Sequence, residues 1–101
     1  MPGRLLVIGL DRYLMRACDR IGIDAVVVCS HKSWDAGSAL APDSVEVLRA
    51  ESQRAPEAIL GRLARAGLHR FDGVVTTDEQ AVVAAHLVGQ ALGIANADPA
   101  S

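Results

Sequence analysis

Three unbroken runs of apolar, largely β-branched residues limit what this chain can fold into. They are Leu5-Leu6-Val7-Ile8, Ala25-Val26-Val27-Val28-Cys29 and Gly73-Val74-Val75-Thr76-Thr77. The first is a continuous run of the kind found in strands buried on both faces, characteristic of parallel sheets covered by helices on either side; the second predicts another buried strand and the third a further strand. The segments between them switch to helical spacing. Leu10, Tyr13, Leu14, Ala17, Cys18 and Ile21 recur at i, i+3, i+4, i+7, with Asp11, Arg12, Arg16, Asp19 and Arg20 on the other face. Gly22 stands where a helix would close in a left-handed residue.

The remaining chain extends the alternation. Ser30 to Asp43 is polar and rich in small residues, with Gly37 and Pro42, and reads as a loop. Val45 and Val47 flank Glu46 and predict a third strand, shorter and more exposed, ending near Ala50. Pro56 opens a helix carrying Ile59, Leu60 and Leu63, stopped at Gly67. Asp78 caps a last helix running to about Leu92, with Gly93 after it. The order β-α-β-β-α-β-α predicts a three-layer, Rossmann-like α/β domain over residues 1–94 with a mostly parallel four-stranded sheet. Residues 95–101 lack periodicity and read as a tail or the start of an interdomain linker. No internal repeat is present.

Half of the 101 residues are hydrophobic, and a chain of this size buries roughly 65% of its unfolded surface, sufficient for one core. The formal net charge is −2. The nine arginines form no basic stripe, being spread out and mostly answered by nearby acids, which argues against nucleic acid as a partner. Aromatic residues are only 3% of the chain, which disfavours a base-stacking RNA platform. The apolar runs are far too short to cross a bilayer, and the N-terminus lacks the pattern of a secretory signal. Two cysteines, Cys18 and Cys29, make no disulfide framework. The expected location is cytoplasmic, without membrane contact.

The last helix stands apart. Ala81, Val82, Val83, Ala84, Ala85, Leu87, Val88, Ala91 and Leu92 cover nearly its whole circumference. Two readings stand: a small-residue helix with exposed alanines, or a docking face for another domain or subunit.

Ligands of open parallel sheets bind beyond the carboxyl ends of the strands. Those ends supply Gly9 and Asp11, Ser30, Glu51-Ser52, and Thr76, Thr77, Asp78 and Glu79. The first loop carries Gly9 alone. No Gly-x-Gly-x-x-Gly or Walker-type sequence exists, and the Asp11 charge at a helix start repels a pyrophosphate. Asp78 and Glu79 suit a helix start electrostatically, and the same carboxylates suit a ligand ammonium group; Asp11 carries the same two readings. Cys29 and His31 project apart on a strand, so a thiol–imidazole pair is disfavoured, and Cys18 and Cys29 read as small core residues. His31, His69 and His86 lack metal-ligand spacing.

With these residues laid out, the chain resembles the N-terminal, pre-ATP-grasp domain of ATP-grasp carboxylate–amine ligases, shared with the biotin carboxylase superfamily. Four stretches carry the likeness. Leu5-Leu6-Val7-Ile8-Gly9, followed by Ala17-Cys18-Asp19-Arg20-Ile21-Gly22-Ile23, resembles the opening strand, first helix and approach to strand two. Ser38 to Val47 is similar to a loop entering a short Val-rich strand, and Phe71-Asp72-Gly73-Val74-Val75-Thr76-Thr77-Asp78-Glu79 to an Asp-Gly-Val-Val strand with its substrate-facing turn. Ala84-Ala85-His86-Leu87 through Ala91-Leu92-Gly93-Ile94 is like the close of that domain's last helix. The likeness spans about residues 4 to 94; Ala95-Asn96 departs from the usual Pro-Gly.

The resemblance implies a substrate-side domain or small subunit that is not catalytic alone. By position, it places substrate contacts on Gly9 and its loop and on Thr76, Thr77, Asp78 and Glu79; Ser30 joins them as a strand-end residue. ATP and magnesium are implied for the full ligase, held by an ATP-grasp domain or subunit that also supplies a partner for the last helix. The substrate is a small carboxylate or amine. Two alternatives remain. One is a free-standing interaction or regulatory module, homodimeric through the last helix; the other is a small complete enzyme using Cys29 or the Asp78–Glu79 pair.

Overall fold

The computed structural model describes residues 4–94; the tail assigned to 95–101 lies outside them. Strands β1 (Arg4–Ile8), β2 (Asp24–Ser30), β3 (Val45–Ala50) and β4 (Gly73–Thr76) form one sheet in the order β3-β2-β1-β4. All neighbouring pairs are parallel. Helices α1 (Arg12–Ile21), α2 (His31–Gly37), α3 (Pro56–Arg65) and α4 (Val82–Ala91) alternate with them, and 3-10 turns occupy Ser38–Leu40 and Glu79–Ala81. The fold is the expected Rossmann-like, three-layer α/β arrangement.

Register explains why the strand runs are apolar throughout. Leu6 lies level with Val26 and Val74, and Ile8 with Val28 and Thr76. This face carries Leu48, Ala50, Ile59, Leu63, Ala84 and Val88 into one core beneath α3 and α4. Val7 lies level with Val27 and Val75, and its face meets Met15, Cys18 and Cys29 beneath α1 and α2. In β1 and β2 consecutive residues thus enter different cores, so neither parity of position is polar there; the flanking strands are less enclosed, with Val75 of β4 37% exposed and Glu46 and Arg49 of β3 facing out. The right-handed crossover rule accounts for the layering. Moving from β1 through β2 to β3 keeps α1 and α2 on one face, and the return to β4 at the opposite edge puts α3 on the other.

Several expectations are corrected. The segment after Ser30 is a helix, α2, rather than a loop. Ser30 caps it, accepting from the Ser33 N–H at 3.3 Å, and Trp34 packs it onto the sheet. Seven residues with one large apolar side chain leave no period to detect. Strand β3 has six residues against five in β1 and four in β4, so it is not the short strand. The arginines are mostly not answered by acids: among the described residues only Arg4–Asp24 and Arg54–Asp78 are ion pairs, each at 3.2 Å. Arg49 instead lies 5.4 Å from the Trp34 ring centre, Arg12 lies over Tyr13, and Arg62 donates to the Arg49 carbonyl. Asp78 caps the 3-10 turn rather than α4 itself.

Helix α4 also settles which residues face outward. Ala81, Ala84, Ala85, Val88 and Gly89 are buried. The exposed side chains include the bulky ones, Val83 at 69%, Leu87 at 43% and Val82 at 37%. Ala91 is exposed too, so the outward side carries one alanine beside these bulky residues. The small residues let the helix approach its neighbours closely with Val88 packed among them, while Val82, Val83 and Leu87 point to solvent. No helix among the described residues is long and apolar enough to cross a membrane.

Candidate functional site

The sheet has one place where successive connections diverge. The chain leaves β1 for α1 on one face and leaves β4 for α4 on the other, and these two strands are neighbours. Beyond their carboxyl ends the two loops part, and such a switch point is the position where open α/β sheets bind ligands.

The crevice is built from the strand ends upward. The Gly9 N–H donates to the Val28 carbonyl at 2.8 Å, and Gly9 has φ of 93°, a conformation glycine adopts without cost. Thr76 Oγ1 donates to the Ile8 carbonyl at 2.7 Å and accepts from the Asp78 N–H at 3.1 Å, fastening the β4 loop to the end of β1. Asp78 Oδ2 then accepts from Gln53 Nε2 at 2.9 Å and from Arg54 Nε at 3.2 Å, while Oδ1 accepts from the Gln80 N–H at 3.0 Å. Gln53 Oε1 accepts from the Ser30 N–H at 3.1 Å. The ends of β2, β3 and β4 are joined over Gly9, where a Cβ would lie only 3.2 Å from Gln53 Nε2.

Asp11 caps α1, Oδ1 accepting from the N–H groups of Tyr13 at 2.9 Å and Leu14 at 3.1 Å. These bonds, chiefly that from Leu14, hold its carboxyl below the usual range against the opposing effect of burial, and the nearby Thr77 hydroxyl adds to them. Asp78 is held low first by the Gln53 amide, then by the Gln80 N–H and the Arg54 guanidinium. Both acids are therefore ionised at neutral pH.

The structure thus brings Gly9, Asp11, Thr76, Thr77 and Asp78 together around the β1–β4 crevice. Ser30 joins through Gln53. Glu79 is exposed in the 3-10 turn, and its side chain makes no hydrogen bond among the described residues. Sequence reasoning missed Gln53 and Arg54, although Glu51-Ser52 had been placed at a strand end; the adjoining Gln-Arg pair was the available signal. It also missed Lys32 and Ser33, having read α2 as a loop.

Chemically, Asp78 is largely committed. Three of about four lone-pair positions of a carboxylate are taken. Asp11 uses one oxygen, Oδ1, for capping, and Thr77 lies near its carboxyl. Neither Cys18 nor Cys29 contributes: both are buried, and burial raises both thiols, that of Cys29 to about 11. Among the described residues no group of three His, Cys, Asp or Glu side chains is placed to hold a metal ion. The crevice does not fit a nucleotide phosphate either: the start of α1 carries the Asp11 carboxylate where a phosphate cradle would need open N–H groups. Neither a protein-family model nor a curated protein sequence matches the chain.

Proposed function

We propose that this chain is the substrate-side domain of an ATP-dependent carboxylate–amine ligase of the ATP-grasp type, without catalysis of its own. The observation that carries the reading is the polar crevice at the β1–β4 divergence, where Asp11 and Thr77 sit over a cradle fixed by Thr76, Asp78 and Gln53. The Asp11 carboxylate accepts hydrogen bonds from an amine or ammonium substrate, Thr77 orients it, and Asp78 keeps the β4 loop in place. Glu79 adds negative charge at the rim. ATP and magnesium belong to a second domain or subunit, which docks on the exposed Val82, Val83 and Leu87 face of α4.

The same apolar face favours a second reading, a free-standing module that self-associates through α4. One experiment separates the two. The native polypeptide is captured from its own cells with an antibody to this domain, weighed intact, and assayed for phosphate release from ATP with mixed carboxylates and amines. A heavier polypeptide or a stoichiometric partner with substrate-dependent phosphate release supports the ligase reading. A species with the mass of these 101 residues, alone or as a dimer and without such activity, overturns it.

A further inference from the structure

Beside the β1–β4 crevice, over the ends of β2 and β3, lies a separate cavity of about 510 Å³. This is within the size range of small-molecule sites. Its lining includes Lys32, Ser33, Glu51, Ser52, Gln53 and Arg54. Lys32 is the only lysine in the chain and forms no ion pair among the described residues.

Hydrogen-bond accounting shows which chemistry the cavity lacks. Arg54 uses Nε on Asp78, leaving the four N–H groups of its two terminal nitrogens. The Ser52 hydroxyl accepts from the Arg54 N–H, and the Ser33 hydroxyl accepts from Ser30, so each keeps its own proton to donate. Gln53 accepts from Ser30 and donates one N–H to Asp78, keeping its second N–H. The lining therefore offers an ammonium, a guanidinium edge and two hydroxyl donors against one charged acceptor, Glu51. The start of α2 adds little, since seven residues make a weak dipole; the side chains define the site.

We infer that this cavity binds a small hydroxyl-bearing phosphomonoester. The phosphate lies between Lys32 and Arg54 with Ser33 and Ser52 donating, and Glu51 accepts from a ligand hydroxyl. Three terminal phosphate oxygens match the excess of donors better than two carboxylate oxygens do, and cationic side chains with hydroxyls are the ordinary partners of phosphate. The site does not rest on the ligase reading, although Arg54 also holds Asp78 at the edge of the β1–β4 crevice.

The test uses the whole chain, reductively methylated with 13C so that Lys32 and the N-terminal amine give the only dimethylamine signals. Glycerol 1-phosphate is titrated at constant ionic strength, with acetate and inorganic sulfate as comparisons. A saturable shift of the Lys32 signal with glycerol 1-phosphate, without a parallel shift at the N-terminus, is expected. Lys32→Gln and Arg54→Gln, followed through the backbone amides of Ser33 and Ser52, should each weaken binding at least about tenfold, the scale of losing one charge-assisted hydrogen bond. Lys32 is exposed, so its variant retains the fold and keeps the test decisive. Shifts that fail to saturate, that match at the two amines, or that acetate produces equally would overturn the proposal.

Discussion

Gln53 Nε2 donates to Asp78 Oδ2 across 2.9 Å, and the same amide accepts from the Ser30 N–H at 3.1 Å. One side chain thus joins β2 to the β4 loop above the central strand. Replacing Gln53 by Leu leaves a backbone N–H and a carboxylate short of partners. The expected loss is about 1–3 kcal/mol, read as a lower urea midpoint with an unchanged slope.

The acids make the domain sensitive to low pH. Asp11 and Asp78 both have lowered values in the fold, so their contribution is present above the unfolded carboxylate range near about pH 4 and is lost as pH falls through the lowered values. Asp78→Asn should therefore flatten the acid limb of the stability profile. Because the Gln53 amide and the Arg54 guanidinium both hold the Asp78 carboxyl down, Gln53→Ala and Arg54→Ala should each raise the Asp78 titration midpoint. Carboxyl NMR shifts measure both.

Cys29 is inaccessible and its thiol is pushed up to about 11. A disulfide reagent at neutral pH should label neither cysteine in the native chain and both in denaturant. Above about pH 9 the unfolded thiol ionises while the native one does not, so stability falls with rising pH. Cys29→Ala should lessen that alkaline decline.

Gly9→Ala is strained twice, by φ of 93° and by the Gln53 amide 3.2 Å from the new Cβ. A loss of about 1–2 kcal/mol is expected, which in a domain of this size lowers Tm by roughly 4–16 °C.

The two sides of α4 should respond in opposite ways. Ala84, 2% exposed, has no room to grow, and Ala84→Leu should cost about 1–3 kcal/mol through overpacking. Val83→Ala, at 69% exposure, should leave thermal stability within roughly 0.5 kcal/mol of the parent or raise it slightly, since alanine is the better helix former.

The parts legible in the sequence were those with long apolar signals. β1 and β2 announce themselves because both parities of position are buried; the existence of α1 was legible but its inner face was not, since Met15 and Cys18 are buried while Tyr13 and Ile21, assigned to the apolar stripe, are each 69% exposed. Asp11 and Asp78 were readable as helix starts and are seen in capping roles. Helix α2 was not, because its hold on the sheet is a single tryptophan and its start a serine that also suits a loop. Gln53 was invisible for a different reason. Its role depends on β3 ending beside β2 while β4 returns across the sheet, a juxtaposition of residues 23 and 25 positions apart. The orientation of α4 was equally closed to composition, since an all-apolar helix carries no contrast to show which side faces in.

The strand order sets a timetable for synthesis. β1 holds the centre of the sheet, yet one of its edges is filled by the last strand to be made, with Thr76 fastening to Ile8 from 68 residues away. As the chain emerges from the ribosome, β1, β2 and β3 can pair in turn, while that edge of β1 waits for residues 73–76. Until then the nascent domain presents an open apolar edge to whatever surrounds it, and the distant closure of β4 onto β1 becomes the slow event of its birth.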